Sequence, residues 1–159
     1  MKESILDSNT RREFITGAVR DCAEGKGRCD LLPLGIVYAL TDDRIFMFID
    51  LYITTGKVNH LYSIISEFST HFGDLASTLL EVSKHFEAGA IKYAERNWEK
   101  GIPLHCYIDS AVRHYLKWWR GDTDERHDRA FVWNILCAIW THLNKPEMID
   151  LPFKESKDE

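Results

Sequence analysis

The chain is poor in the residues that staple or punctuate an irregular fold. Its 159 residues include four prolines and four cysteines. Cys22, Cys29, Cys106 and Cys137 contain no CxxC pair, so no zinc framework is indicated. Reduced thiols in a cytoplasm are the expectation. The polar N-terminus "MKESILDSNTRREF" does not resemble a secretory leader, and the apolar runs fall far short of a membrane span, so no membrane partner is expected. Positive charge is also in short supply. Lys and Arg total 20 against 25 Asp and Glu, for a net charge of −5. This argues against a protein that mainly coats a nucleic-acid polymer, because such binding is driven by phosphate neutralisation. It leaves room for a small anion held together with a metal ion. Internal repeats, low-complexity tracts, NG or DG hairpin signals and the phosphate-binding GxxxxGK[ST] loop are all absent.

What is present is helical periodicity. Hydrophobic content of 45% in a chain of this length is enough for a core in one domain. Residues 1–15 are polar and read as a flexible tail. Residues 16–33, "TGAVRDCAEGKGRCDLLP", carry three glycines and end on Pro33, and read as an extended glycine-rich basic loop. Helices follow over "LPLGIVYAL", over "RIFMFIDLYITT" after a cap at Asp42 or Asp43, and over "VNHLYSIISEF". "IFMFIDLYI" has strand propensity, but a lone strand would lack a partner. A long fourth helix runs from a cap at Asp74 to about Arg96. A fifth covers "LHCYIDSAVRHYLKWWR" and stops at Gly121, and a sixth begins near Thr123 and reaches about Leu143. The predicted architecture is an all-α bundle of five to six helices with an extended N-terminal loop. Helices four to six (79–143) form its core, 34–78 form a helical insertion and 144–159 a tail.

Several polar residues sit in rows that should be apolar. In the fourth helix Leu75, Leu79, Val82, Phe86 and Tyr93 make the main apolar row, and Glu87 lies in the adjacent row with Leu80, Ala90 and Ile91. A half-buried carboxylate there needs a cation or a donor, which a salt bridge to Lys84 or Lys92 would also supply. In the fifth helix Asp109 and Arg113 are spaced as an ordinary i, i+4 ion pair, and His114 follows. In the sixth, Glu125 and Asp128 share a face with His127 adjacent. An acidic first turn complementing the helix dipole explains Glu125 better than Asp128. Asn134 falls in a core row and needs a specific partner. Glu87, Asp109, Glu125 and Asp128 together offer oxygen ligands suited to Mg²⁺ or Mn²⁺. A hard divalent ion in a bundle suggests phosphate chemistry. Arg20, Lys26 and Arg28 among the glycines of 16–33 match phosphate oxygens, although a flexible basic surface loop would look the same.

"TGAVRDCAEGKGRCDLLP", "HFEAGAIKYAERNWEKGIP", "DSAVRHYLKWWRGDTDERHDRAFVWN" and "CAIWT" together resemble the phage-borne dATP/dGTP diphosphohydrolase family, which is grouped with the all-α, MazG-like nucleoside triphosphate pyrophosphohydrolases. The match covers residues 16–33 and 79–142, with Thr16 where Ser is common. The resemblance implies hydrolysis of a purine deoxynucleoside triphosphate to the monophosphate and pyrophosphate, and a homo-oligomer. MazG-like enzymes bind Mg²⁺ through ExxE on one helix and ExxD on the next. Glu125–Asp128 fits ExxD, but no ExxE precedes it, and Asp109 with Val112 is the nearest approach.

The mechanism expected from these residues places the metal on Glu87, Asp109, Glu125 and Asp128. Lys92, Arg96, Lys100 or Arg113 would stabilise the phosphates. Trp98 or Tyr93 would stack on the base and Asn97 or Asn134 would read its edge. His114 or His127 would act as ligand or proton shuttle, and Glu87 as a catalytic carboxylate. The alternatives are a nucleotide-sequestering module without turnover and a helical interaction protein with solvated acids. An HD-type phosphohydrolase is disfavoured, since His127-Asp128 is the only HD dipeptide.

Overall fold

The computed structural model describes residues 6–153. The ends of the two expected tails, 1–5 and 154–159, lie outside the described residues. A short antiparallel hairpin comes first: β1 (Arg11–Glu13) pairs with β2 (Val19–Asp21), with Arg12 opposite Arg20. Six α-helices follow among the described residues: α1 (Leu34–Thr41), α2 (Arg44–Thr55), α3 (Asn59–Phe68), α4 (Leu75–Lys92), α5 (Leu104–Arg120) and α6 (His127–Asn144). The molecule is an all-α bundle carrying a small hairpin.

The helix boundaries have local causes. Asp43 caps α2 by accepting from the Ile45 amide at 3.0 Å, and Gly56 ends it in the left-handed region. Asp74 caps α4 through the Ser77 amide at 2.6 Å, and Gly121 closes α5. α4 stops at Lys92, short of the expected Arg96, and Arg96 itself adopts a left-handed φ of 56°. α6 starts at His127, later than expected. Asp124 and Glu125 therefore precede the helix and do not form its acidic first turn. Glu125 turns toward a cavity, while Asp124 accepts from His127 Nε2.

α6 is the central rod. Phe131, Val132, Ile135, Ala138 and Ile139 are buried along it, and α5 lays Tyr107, Ile108, Ala111, Val112 and Tyr115 against the same core. Residues 34–78 belong to this core as well, through Phe46, Ile49, Tyr52, Leu61, Ile64 and Phe68. Phe68 meets Phe131 edge-on with ring centroids 4.9 Å apart. Each such fully buried side chain contributes roughly 1.5–3 kcal/mol. The described part of the C-terminal segment also packs. Asp150 accepts from the His105 amide at 2.9 Å, and Phe153 lies edge-on to Tyr52. The apolar row expected for α4 is only partly buried: Val82 is in the core, whereas Leu75 and Leu79 are 52% and 45% exposed.

The hairpin is docked, and this positions the site. The Asn97 side chain accepts from the Val19 amide and donates to the Val19 carbonyl, both at 2.8 Å. The Thr16 hydroxyl donates to the Gly101 carbonyl at 2.5 Å. Gly101 has φ 117°, and a Cβ there would come within 3.1 Å of the Thr16 side chain and 3.3 Å of the Met148 sulfur. Only glycine permits that close approach. The result is that Arg20 and Asp21 sit over the gap between α4, α5 and α6.

Candidate functional site

That gap is a cavity of ≈ 180 Å³, and the charged residues in its walls are predominantly basic. β2 and the loop after it contribute Arg20 and Lys26, β1 contributes Arg12, α4 contributes Lys92, and α5 contributes Arg113 and Lys117. Against these six cations stand three carboxylates, Asp21, Asp109 and Glu125. A chain with a net negative charge has therefore gathered a positive field into one concavity. Arg20 is the centre of it. Its guanidinium donates to the Ser110 hydroxyl at 2.8 Å and to the Asn134 side-chain oxygen at 3.2 Å, and lies over the Tyr107 and Trp133 rings. Its Nη1 is buried with no hydrogen-bond partner among the described residues. A buried donor without an acceptor is costly, and an anion in the cavity would satisfy it.

One wall carries a cluster of imidazoles and carboxylates. His114 Nδ1 and His127 Nδ1 are 2.9 Å apart, and Glu125 Oε1 lies 3.6 Å from His114 Nδ1. His127 Nε2 donates to Asp124 Oδ1 at 2.6 Å, which fixes the ring with Nδ1 turned toward His114. Such a carboxylate behind an imidazole is the usual orienting partner of a metal-binding histidine. Burial, reinforced by His127, holds His114 well below the ordinary histidine range, so it is a neutral donor. Burial raises the Glu125 carboxyl. A cation would reverse that penalty and displace the proton shared by the two imidazoles. His114, Glu125 and His127 thus form a group able to hold a metal ion, and Asp122, Asp124 and His127 form an adjoining one.

The residues singled out from the sequence divide into two sets. The cavity collects Arg20, Lys26, Lys92, Tyr93, Asn97, Asp109, Arg113, His114, Glu125 and Asn134, with His127 directly behind His114. Several of these are already engaged. Asp109 accepts from the Cys29 amide and from Arg113, both at 2.6 Å, and Arg113 also donates to the carbonyls of Lys26 and Gly27. This ion pair clamps the glycine loop to α5. Asn97 spends its amide on Val19, and Asn134 donates to the Ala130 carbonyl at 2.8 Å.

The other set lies outside the cavity. Glu87 is on the exposed face of α4. Asp128 accepts from Arg126, from His71 at 3.0 Å and from the Arg129 amide. Burial raises its carboxyl, but the bonds from Arg126 and His71 outweigh that and hold it at about 2. Arg28 is paired with Asp30, and Arg96 with Glu99. Trp98 packs against Phe86 and Trp140, and Lys100 is exposed. The four carboxylates expected to share a metal, Glu87, Asp109, Glu125 and Asp128, do not converge. Among the described residues, Glu125 is the one of the four that belongs to a group able to hold a metal ion.

His85, Lys117, Arg12, Ser110 and Trp133 line the cavity but were not picked out from the sequence. The available signal was positional. His85, Gly89 and Lys92 form one helical row, as do Asp109, Arg113 and Lys117 on the next helix. Burial, with Arg20 and Arg129 nearby, lowers His85 to about 4, so it is neutral at neutral pH.

No helix among the described residues is long and apolar enough to cross a membrane. No curated protein and no solved structure matches the chain. A family model described as dATP/dGTP diphosphohydrolase, N-terminal, matches residues 63–151, which spans α4, α5, α6 and with them most of the cavity wall. The match covers more than half of the 159 residues. A basic cavity walled by these three helices therefore comes with a family assignment: the chain belongs to the dATP/dGTP diphosphohydrolase N-terminal family.

Proposed function

We propose that the chain hydrolyses a purine deoxynucleoside triphosphate between the α- and β-phosphates, releasing the monophosphate and pyrophosphate for nucleotide-pool or modified-base metabolism. The observation that carries this is the cavity itself: six cations and an unpartnered Arg20 nitrogen beside an imidazole–carboxylate cluster, in a chain of this family. Arg12, Arg20 and Lys117 would draw in the triphosphate and Lys26 and Lys92 would help to orient it, leaving Arg113 to hold the loop that carries Lys26. The water oxygen attacks the α-phosphorus as the bond to the bridging oxygen breaks, and pyrophosphate departs with that oxygen. His85, neutral and with no hydrogen bond among the described residues, is the proposed acceptor for the proton of that water.

His114, Glu125 and His127 would hold a divalent cation, with Asp124 orienting His127. Such an ion supplies neutralisation of the phosphate chain and acidifies a bound water. Two imidazoles and a carboxylate suit Mn²⁺ or another transition ion at least as well as Mg²⁺, which prefers oxygen. The test is a panel of dNTPs and NTPs with Mg²⁺ or Mn²⁺, with products identified. Pyrophosphate release from dATP or dGTP is expected, and Glu125→Gln should lower it at least about 10–100-fold with the melting temperature retained. Thermal stabilisation by dGTP without pyrophosphate release would identify a nucleotide-sequestering module instead.

A further inference from the structure

The cavity is too small for the whole of such a substrate. At ≈ 180 Å³ it falls below the roughly 300–1,000 Å³ of pockets that bury a ligand of that size, so it takes the phosphates and leaves the base to lie outside it. The aromatic rings around it are already engaged. Tyr93 has Arg11 and Lys92 over its ring, each 5.2 Å from the centroid. Trp133 has Arg20 over its ring at 5.7 Å and the His85 ring beside it at 5.4 Å. Trp98 packs against Phe86 and Trp140, and the niche next to it holds ≈ 20 Å³, which is room for a water and not for a purine.

A second concavity adjoins the first. This groove of ≈ 570 Å³ shares Lys26, Arg113 and Lys117 with the cavity, and its remaining lining includes Leu116 and Trp119 of α5 and Cys29 of the segment before α1. Trp119 is 53% exposed, and its ring neighbour is Phe46, tilted at 6.2 Å. An indole half in water beside a basic wall offers a π-face to a flat ring. The helix sets the spacing. Arg113, Leu116, Lys117 and Arg120 fall on one face of α5, and the rise from Arg113 to Trp119 is about 9 Å. A sugar and a purine reach over a comparable span from the phosphate that carries them. On the reading of the substrate as a purine deoxynucleoside triphosphate, on which this rests, we infer that the base lies in the groove, stacked on Trp119, while the phosphates occupy the cavity. Lys26, Arg113 and Lys117 then stand where the phosphates meet the sugar. Trp119 is a specificity-determining residue, favouring the larger purine ring because more apolar surface is covered.

Titration calorimetry on the full chain with Mn²⁺ tests this. One ligand is α,β-methylene-dGTP, whose carbon bridge prevents turnover, and the other is inorganic triphosphate, which has the charge and no base. Trp119→Ala should weaken the nucleotide roughly 5–150-fold, the size of one lost base–aromatic stack, and leave inorganic triphosphate unchanged. Trp119→Phe, which keeps a stacking face, should retain most of the affinity. Trp119→Leu keeps an apolar contact for Phe46 and should show the same selective loss if the alanine variant folds poorly. Unchanged nucleotide binding by the alanine and leucine variants, or an equal loss for both ligands, would overturn the inference. Pyrophosphate release from dGTP judges the hydrolysis itself. Release together with nucleotide affinity indifferent to Trp119 refutes the base site alone, and Trp119-dependent binding without release refutes hydrolysis alone. A wild type that binds neither ligand overturns both.

Discussion

At the residue scale, the site is governed by how burial sets protonation. His85 shows the consequence most directly. Its folded-state pKa is lowered from 6.5 to about 4, with burial as the leading cause and Arg20 and Arg129 adding to it. Between those values the unfolded chain binds a proton that the folded chain does not. Stability therefore rises with pH across this window and is lost as pH falls from 6.5 toward 4. Burial lowers His114 and His142 in the same sense, so replacing His85 should remove only part of the slope. Urea unfolding at the two ends of the window should show His85→Gln losing about 1–3 kcal/mol less than the wild type on acidification. Equal losses in both proteins would mean that His85 is protonated in the folded state. Asp128 works in the opposite range. Held at about 2, it contributes stability above the ordinary aspartate value that is lost only as pH falls below it. The same bonds that lower Asp128 engage both of its carboxylate oxygens.

At the scale of elements, the site depends on a hairpin of three-residue strands docked by the Asn97 amide and the Thr16 hydroxyl. Asn97→Ala leaves the Val19 amide and carbonyl without their partner. A loss of about 1–3 kcal/mol is expected, together with a higher KM for the triphosphate, because Arg20 on β2 loses its fixed position. Activity assays and thermal melts on the same variant check both effects, and an unchanged KM would show that Arg20 is held by Ser110 and Asn134 alone. This hairpin was the least legible part of the sequence. "RRE" and "VRD" have no apolar alternation, and the turn carries TG where NG or DG would announce it. The helices were legible because capping residues and periodicity agreed, as at Asp43, Gly56, Asp74 and Gly121. The candidate site was half legible. Helical spacing put Asp109, Arg113, His114 and Glu125 near one face, but spacing does not reveal which carboxylates are already bonded. Asp109 and Asp128 look like ligands in the sequence and are tied to Arg113, Arg126 and backbone amides in the fold. Glu87 missed the cavity because α4 turns a different row, His85–Gly89–Lys92, toward it.

For the whole molecule, the decisive property is a charge distribution that opposes the net charge. With net −5 overall, the chain as a whole repels a triphosphate, and attraction has to come from the cavity. Two of its six cations are partly neutralised, Lys26 by Asp21 at 3.1 Å and Arg113 by Asp109 at 2.6 Å. Lys92 is turned to the Leu6 carbonyl, and burial lowers its pKa. Arg12, Arg20 and Lys117 therefore carry most of the uncompensated field at the mouth and wall. A field of this kind acts at a distance and is cut by salt, since the Debye length is about 10 Å at 0.1 M and about 3 Å at 1 M. Bond breaking happens inside the cavity, where screening is weaker. Raising NaCl at fixed divalent ion should therefore raise the KM for the triphosphate several-fold while kcat changes by less than about twofold. Lys117→Gln should raise KM at low salt and flatten its salt dependence, because the charge being screened has been removed. Steady-state kinetics across a salt series on both proteins makes the comparison. A KM indifferent to salt in the wild type would show that direct hydrogen bonds, rather than the field of the cavity, account for substrate capture.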